Sequence, residues 1–163
     1  FTTGPGLMKL LLMRHGEASF NAPSDAQRLL TQRGSDSVIQ QSQQQTIPWH
    51  EYTSLWVSPY MRAQQTASLL LQNYAYKKHL LNLQSLDCIT PHGEIDQVQS
   101  FLLQQHHEGI VLITHQPLVS GLIGHFCHGN HHMGEPMRPA SIALLEGEVA
   151  AAGCLRLTHL FHP

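Results

Sequence analysis

Apolar residues in this chain gather in short runs, and the spacing between runs alternates between strand-like and helix-like. Residues 9–13 form an apolar run suited to a buried strand. Residues 54–57 suit a second strand, and residues 110–113 are the clearest buried strand of all. Thr31 can cap a helix to about Thr46, whose Gln-rich sequence predicts a largely exposed element closed by Pro48. Ser58-Pro59 opens a predicted helix through about Tyr74, with Ser58 as cap and Pro59 at its first position. Residues 80–86 read equally well as a strand or an irregular segment. Residues 90–93 read as a loop, 94–106 as a helix ended by Gly109, and 118–127 as a further helix. A Gly/His/Pro-rich loop follows over 128–139, and residues 141–146 and 154–160 read as a terminal hairpin. The alternation predicts an α/β fold: a three-layer α/β/α sandwich with a mostly parallel central sheet and helices on both faces.

Composition narrows the picture. The 163 residues fit one domain over 8–163, while residues 1–7 read as an expression scar ahead of Met8. Only 12% of residues are charged, with Gln and His in their place, so the surface is polar but weakly charged. The formal net charge of -2 argues against broad electrostatic binding to nucleic acid or to an anionic membrane. Cys88, Cys127 and Cys154 lie far apart with no CxxC, which reads as reduced thiols, buried or incidental, in a cytoplasmic protein. A monomer is expected.

In doubly covered sheets ligands gather at the carboxyl ends of strands. Three predicted strand ends carry reactive side chains: Arg14-His15 after the first, Arg62 just past the second, and His115 after residues 110–113. A transferring phosphoryl group spreads negative charge over three oxygens, which arginine forks satisfy. A neutral histidine can attack it when one ring nitrogen is bare and the other is hydrogen-bonded. Arg14 and Arg62 fit as clamps, His15 as nucleophile and His115 as a further donor. Glu17 reads as a structural partner for a loop amide or an arginine. Ser19, Asn21 and Gln116 are candidate phosphate or substrate contacts, although loop capping explains Ser19 and Asn21 equally well. His125, His128, His131 and His132 invite a metal reading, but their spacing suits a polar loop better.

Four segments resemble the histidine phosphatase superfamily, the phosphoglycerate-mutase-like proteins. They are Leu11-Leu12-Met13-Arg14-His15-Gly16-Glu17-Ala18, Leu30-Thr31-Gln32-Arg33-Gly34, Ser58-Pro59-Tyr60-Met61-Arg62-Ala63-Gln64-Gln65-Thr66-Ala67, and Val111-Leu112-Ile113-Thr114-His115. They occur in family order and span most of residues 9–127. Short length, Thr90-Pro91-His92-Gly93-Glu94 and His115-Gln116-Pro117-Leu118-Val119 make the chain similar to the small SixA-type phosphohistidine phosphatases. The resemblance implies a phosphoenzyme on His15, with Arg14, Arg62 and His115 around the phosphate, and neither metal nor cofactor. It implies a phosphorylated protein partner, a histidine phosphotransfer domain of a two-component relay. Ester-cleaving relatives protonate the departing alkoxide with a carboxylic acid, for which Glu94 is the candidate here. Imidazole protonated on its other nitrogen leaves as a neutral group and needs less help, so a missing acid favours phosphohistidine. Two alternatives stand beside this expectation: a phosphatase for small esters such as sugar phosphates, and a non-catalytic phosphate-binding module.

Overall fold

The computed structural model describes residues 6–74, 81–106 and 109–163. Of the segment read as an expression scar, residues 1–5 therefore lie outside the described residues, as does Leu80. Six strands form the sheet: β1 (Met8–Arg14), β2 (Tyr52–Val57), β3 (Asn82–Ser85), β4 (Gly109–Thr114), β5 (Ile142–Gly147) and β6 (Leu155–Phe161). The helices are α1 (Gln32–Ser42), α2 (Met61–Asn73), α3 (Ile95–Leu103) and α4 (Leu118–His128). Strand order is β3-β2-β4-β1-β5-β6. The first four neighbours run parallel, and β5 is antiparallel to both β1 and β6.

The runs at β1 and β4 are apolar throughout because both sheet faces are covered. Leu10, Leu12, Ile110 and Leu112 pack with Val98 and Leu102 of α3 and with Leu122 and Phe126 of α4. Leu11, Met13, Val111 and Ile113 point the opposite way, onto Val38 of α1 and Ala63, Ala67 and Leu70 of α2. One-residue alternation along the two central strands thus feeds two cores. This is the expected three-layer α/β/α arrangement, and it aligns the carboxyl ends of β1, β2 and β4 along one edge.

Several element ends differ from the sequence expectation for identifiable reasons. α1 stops at Ser42, because the Gln43 amide turns back onto the Gln40 and Gln41 carbonyls and Ile47 and Trp49 then enter the core. Nor is α1 a mainly exposed helix. Its Gln41 is fully buried, donating from Nε2 to the carbonyls of Ala140 and Phe161 at 3.0 and 2.8 Å. α2 begins at Met61 with Tyr60 as its cap, so Ser58-Pro59 stands outside the helix. The Ser58 hydroxyl instead accepts from the Tyr60 amide and meets His115. Gly109 ends no helix; it is the first residue of β4, where a Cβ would lie 2.1 Å from the Glu51 carbonyl oxygen. α3 is shorter than residues 94–106, with Glu94 as its cap. Residues 82–85 settle the ambiguous segment as an exposed edge strand. Cys88 and Cys127 are half-buried and Cys154 is exposed; all three are free thiols.

Candidate active site

The three strand ends converge. The His15 amide donates to the Thr114 carbonyl at 3.0 Å, so the residue after β1 lies beside the end of β4. The His15 and His115 rings meet edge-on with centroids 5.0 Å apart. Arg62, on the first turn of α2, donates from Nε to His15 Nε2 at 3.2 Å. Arg14 donates from Nη1 to the Met137 carbonyl at 2.9 Å, while its Nε is buried without a partner among the described residues. His15 (6% exposed), Arg62 (4%) and His115 (1%) are all buried.

Hydrogen bonding fixes the His15 tautomer. Nδ1 lies 2.7 Å from the Gly16 carbonyl oxygen, which can only accept, so Nδ1 carries the proton. Nε2 therefore presents its lone pair to the Arg62 Nε–H. Burial, reinforced by the charges of Arg62, Arg14 and Arg28, lowers the His15 pKa to about 4 against the opposing Gly16 bond. Burial, then the neighbouring His15 and Arg62, lowers that of His115 to about 3, with Asp25 opposing. Both rings are neutral at pH 7. Ser58 Oγ lies 2.7 Å from His115 Nε2 and accepts from the Tyr60 amide at 3.2 Å. His115 Nδ1 is buried with no partner among the described residues.

The flanking motif residues build the frame. Thr66 Oγ1 accepts from the Gly16 amide at 3.1 Å and donates to the Arg62 carbonyl at 2.7 Å, tying the His15 loop to α2. A Cβ on Gly34 would lie 2.1 Å from the Glu17 carbonyl oxygen, so α1 can approach that loop only with glycine there. Thr31 caps α1 from the Gly34 amide, and its hydroxyl donates to Glu17 Oε1 at 2.9 Å. Glu17 is thus a structural partner, with Arg33 4.0 Å from its other oxygen. Behind Arg14, Ala140 adopts a left-handed φ of 66° and donates its amide to the His15 carbonyl at 3.0 Å. That backbone conformation is uncommon for alanine and costs about 1 kcal/mol or more.

Two residues absent from the sequence reading belong to the site. Asp25 sits in a 3-10 turn within the loop that follows β1. It accepts from Arg62 Nη1 through its carbonyl at 2.6 Å, and from Nη2 through Oδ2 at 3.3 Å. Arg28 donates to the other Asp25 oxygen at 3.2 Å and is itself held by the Ser19 carbonyl at 2.9 Å. A lone aspartate in an aperiodic polar loop gives no pattern from which this placement is legible.

The remaining candidates have no side-chain hydrogen bond to Arg14, His15, Arg62 or His115. Ser19 Oγ accepts from the Asn21 amide at 3.1 Å, the loop-capping geometry. Gln116 Oε1 lies 2.9 Å from Ser120 Oγ. Glu94 is exposed, and no hydrogen bond or ion pair joins it to another described side chain. His125 pairs with Gln99 at 2.7 Å, and His131 and His132 lie in a 3-10 turn. No three His, Cys, Asp or Glu side chains among the described residues are grouped to hold a metal ion. No helix among them is long and apolar enough to cross a membrane.

Two histidines and two arginines at adjoining strand ends of such a sheet define a histidine phosphatase. No family model matches the chain. It is 33% identical over 129 residues to the phosphohistidine phosphatase SixA of Escherichia coli K12, covering 75% of this chain and 76% of that protein. It is 34% identical over 125 residues to the SixA homolog of Haemophilus influenzae, covering 71% and 75%. The structure of the protein histidine phosphatase SixA complexed with tungstate superposes with a TM-score of 0.83 and 25% identity, covering 96% of this chain and 97% of that one. The chain belongs to the SixA family of phosphohistidine phosphatases.

Proposed function

We propose that the protein hydrolyses phosphohistidine on a partner protein through a phosphoenzyme on His15. The observation that carries this is the fixed neutral tautomer of His15, with a lone pair on Nε2 facing the buried Arg62. In the first step Nε2 bonds to phosphorus, the P–N bond of the substrate breaks, and its electron pair returns to the departing ring. In the second, water bonds to phosphorus and the pair returns to Nε2, releasing inorganic phosphate. Arg14 and Arg62 supply guanidinium donors to the phosphoryl oxygens. His115 donates from Nδ1, the tautomer in which its Nε2 accepts the Ser58 hydroxyl proton. Glu94 has no role in this scheme: it is exposed and joined by no hydrogen bond or ion pair to another described side chain, and a protonated ring that leaves as neutral imidazole needs no external acid.

A protein substrate is supported by the rim. Phe20, 86% exposed, and Leu29 and Met61 offer apolar surface on the loop after β1 and at the start of α2, beside Asp25 and Arg62. We assign the partner to the histidine phosphotransfer domains of two-component relays and the site of action to the cytoplasm. The test is to trap labelled phosphoenzyme from a panel of donors: a histidine-phosphorylated phosphotransfer domain, a sugar phosphate and an aryl phosphate. The phosphotransfer domain is expected to label His15 fastest, and His15→Ala to reduce turnover to background. Full activity in His15→Ala overturns the mechanism; faster labelling by the sugar phosphate overturns the substrate class.

A further inference from the structure

The proposed reaction exchanges a phosphoryl group between two imidazoles, and the demands on the two rings are symmetric. Each ring can hold or release phosphorus at one nitrogen only if the other keeps its proton. For His15 that requirement is met by the Gly16 carbonyl, 2.7 Å from Nδ1. The substrate ring needs an equivalent acceptor on its far nitrogen, placed outward of the phosphate.

Arg62 shows where the outward direction lies. Its Nε end touches the buried His15 Nε2, and its Nη1 and Nη2 end touches Asp25. The Asp25 side chain is 53% exposed while that of Arg62 is 5% exposed. The order along the guanidinium is thus nucleophile, clamp, carboxylate, solvent. An in-line leaving group stands opposite Nε2, on that solvent side. Among the described residues Asp25 is the carboxylate ion-paired to the four-residue cluster. The charged groups facing it are Arg28 of its own loop and Arg62 of α2, with His115 at the end of β4 within electrostatic reach. Partial burial pushes the Asp25 carboxyl up, but the hydrogen bonds and charges of Arg28 and Arg62 outweigh it and hold the group below its ordinary range, hence ionised.

We propose that Asp25 is a catalytic residue that accepts the far N–H of the substrate imidazole, making the site selective for phosphohistidine over anionic phosphate esters. This rests on the function proposed above. In the step, the substrate ring enters as an imidazolium with phosphorus on one nitrogen and a proton on the other. The new P–Nε2 bond forms, the old P–N bond breaks with its pair returning to the substrate ring, and that ring leaves as neutral imidazole, its far N–H still bonded to its own nitrogen and hydrogen-bonded to the Asp25 carboxylate. The same negative charge repels esters whose leaving group is anionic, and it opposes binding of free phosphate.

Asp25→Asn tests this, because it keeps the shape and an acceptor oxygen while removing the charge. Expected are a tenfold or greater loss of kcat on a histidine-phosphorylated protein, a shift of the alkaline limb of kcat to lower pH, faster turnover of p-nitrophenyl phosphate, and tighter inhibition by inorganic phosphate. Asp25→Glu is expected to restore part of the phosphohistidine rate. If both turnovers fall together and phosphate inhibits more weakly, Asp25 merely props Arg62 and the inference is overturned. Unaltered phosphohistidine kinetics in Asp25→Asn overturn it as well. A wild-type protein that turns over only the ester sinks the function reading, and this inference with it.

Discussion

His15 and His115 carry titratable rings that the fold holds neutral, and this couples stability to pH. Their folded pKa values, about 4 and about 3, lie below the ordinary histidine value near 6.5. Below that value the unfolded chain binds protons that the folded one refuses, so unfolding gains as pH falls. Stability is complete above about pH 6.5 and declines as pH drops toward 4, each ring contributing on the order of 1 kcal/mol per pH unit. The urea midpoint is expected to fall between pH 7 and pH 5, and to fall less in His15→Ala; identical pH slopes in the two proteins would contradict this. At this scale the convergence of the candidate residues was legible where chemistry coincided with a short motif at a strand end: Arg14, His15, Arg62 and His115. Ser58 was legible only as a helix cap, because nothing in the sequence shows that its hydroxyl faces His115 rather than an α2 amide. Asp25 was not legible, since its role depends on a loop folding back onto α2.

Elements meet the site through close backbone approaches. Gly34 lets the first turn of α1 sit against the Glu17 carbonyl, and Gly16 faces the Gly34 oxygen from the other side. A methyl group at Gly34 must push the two segments apart, and overpacking of this kind costs about 1–3 kcal/mol. Gly34→Ala is expected to lower Tm and kcat together, because the displaced segment begins one residue after His15. Retained kcat at reduced Tm, from melting curves and steady-state rates on one preparation, would show that α1 does not register the nucleophile. The same contact explains the Leu-Thr-x-x-Gly spacing that helped to reveal the superfamily: Thr31 caps the helix and Gly34 permits the approach. Element type followed from periodicity, whereas element ends depended on contacts that periodicity does not encode. Gln41 illustrates this. Its polarity suggested solvent, yet its amide bridges two carbonyls from the turn before β5 and the end of β6.

Across the whole molecule, the two imidazoles stand on the most deeply buried strands, and the loop with Asp25 stands on the periphery. Leu10 to Met13 and Val111 to Ile113 are essentially inaccessible on both faces of the sheet. The loop over residues 19–29 is closed at its neck by the Ala18–Leu30 bridge, the Ser19 amide on the Leu29 carbonyl and the Gln65 side chain on the Leu30 amide, and it is tied to α2 where Arg62 meets Asp25. The α/β/α layering was readable from the alternation of apolar runs, but this gradient was not, because it arises from which strands occupy the middle of the sheet. It has a consequence best stated in the language of hydrogen exchange. Amides of β1 and β4 should exchange only through global unfolding, while those of residues 19–29 exchange through a local opening of far lower free energy. Deuterium uptake measured by mass spectrometry would show the two regimes as separate rates, and uniform uptake would refute them. Opening of this loop would then release Asp25 from Arg62 while the two imidazoles stay anchored at the ends of the central strands. Substitutions that strengthen the central strands should accordingly extend the lifetime of the fold at high temperature and leave turnover unchanged.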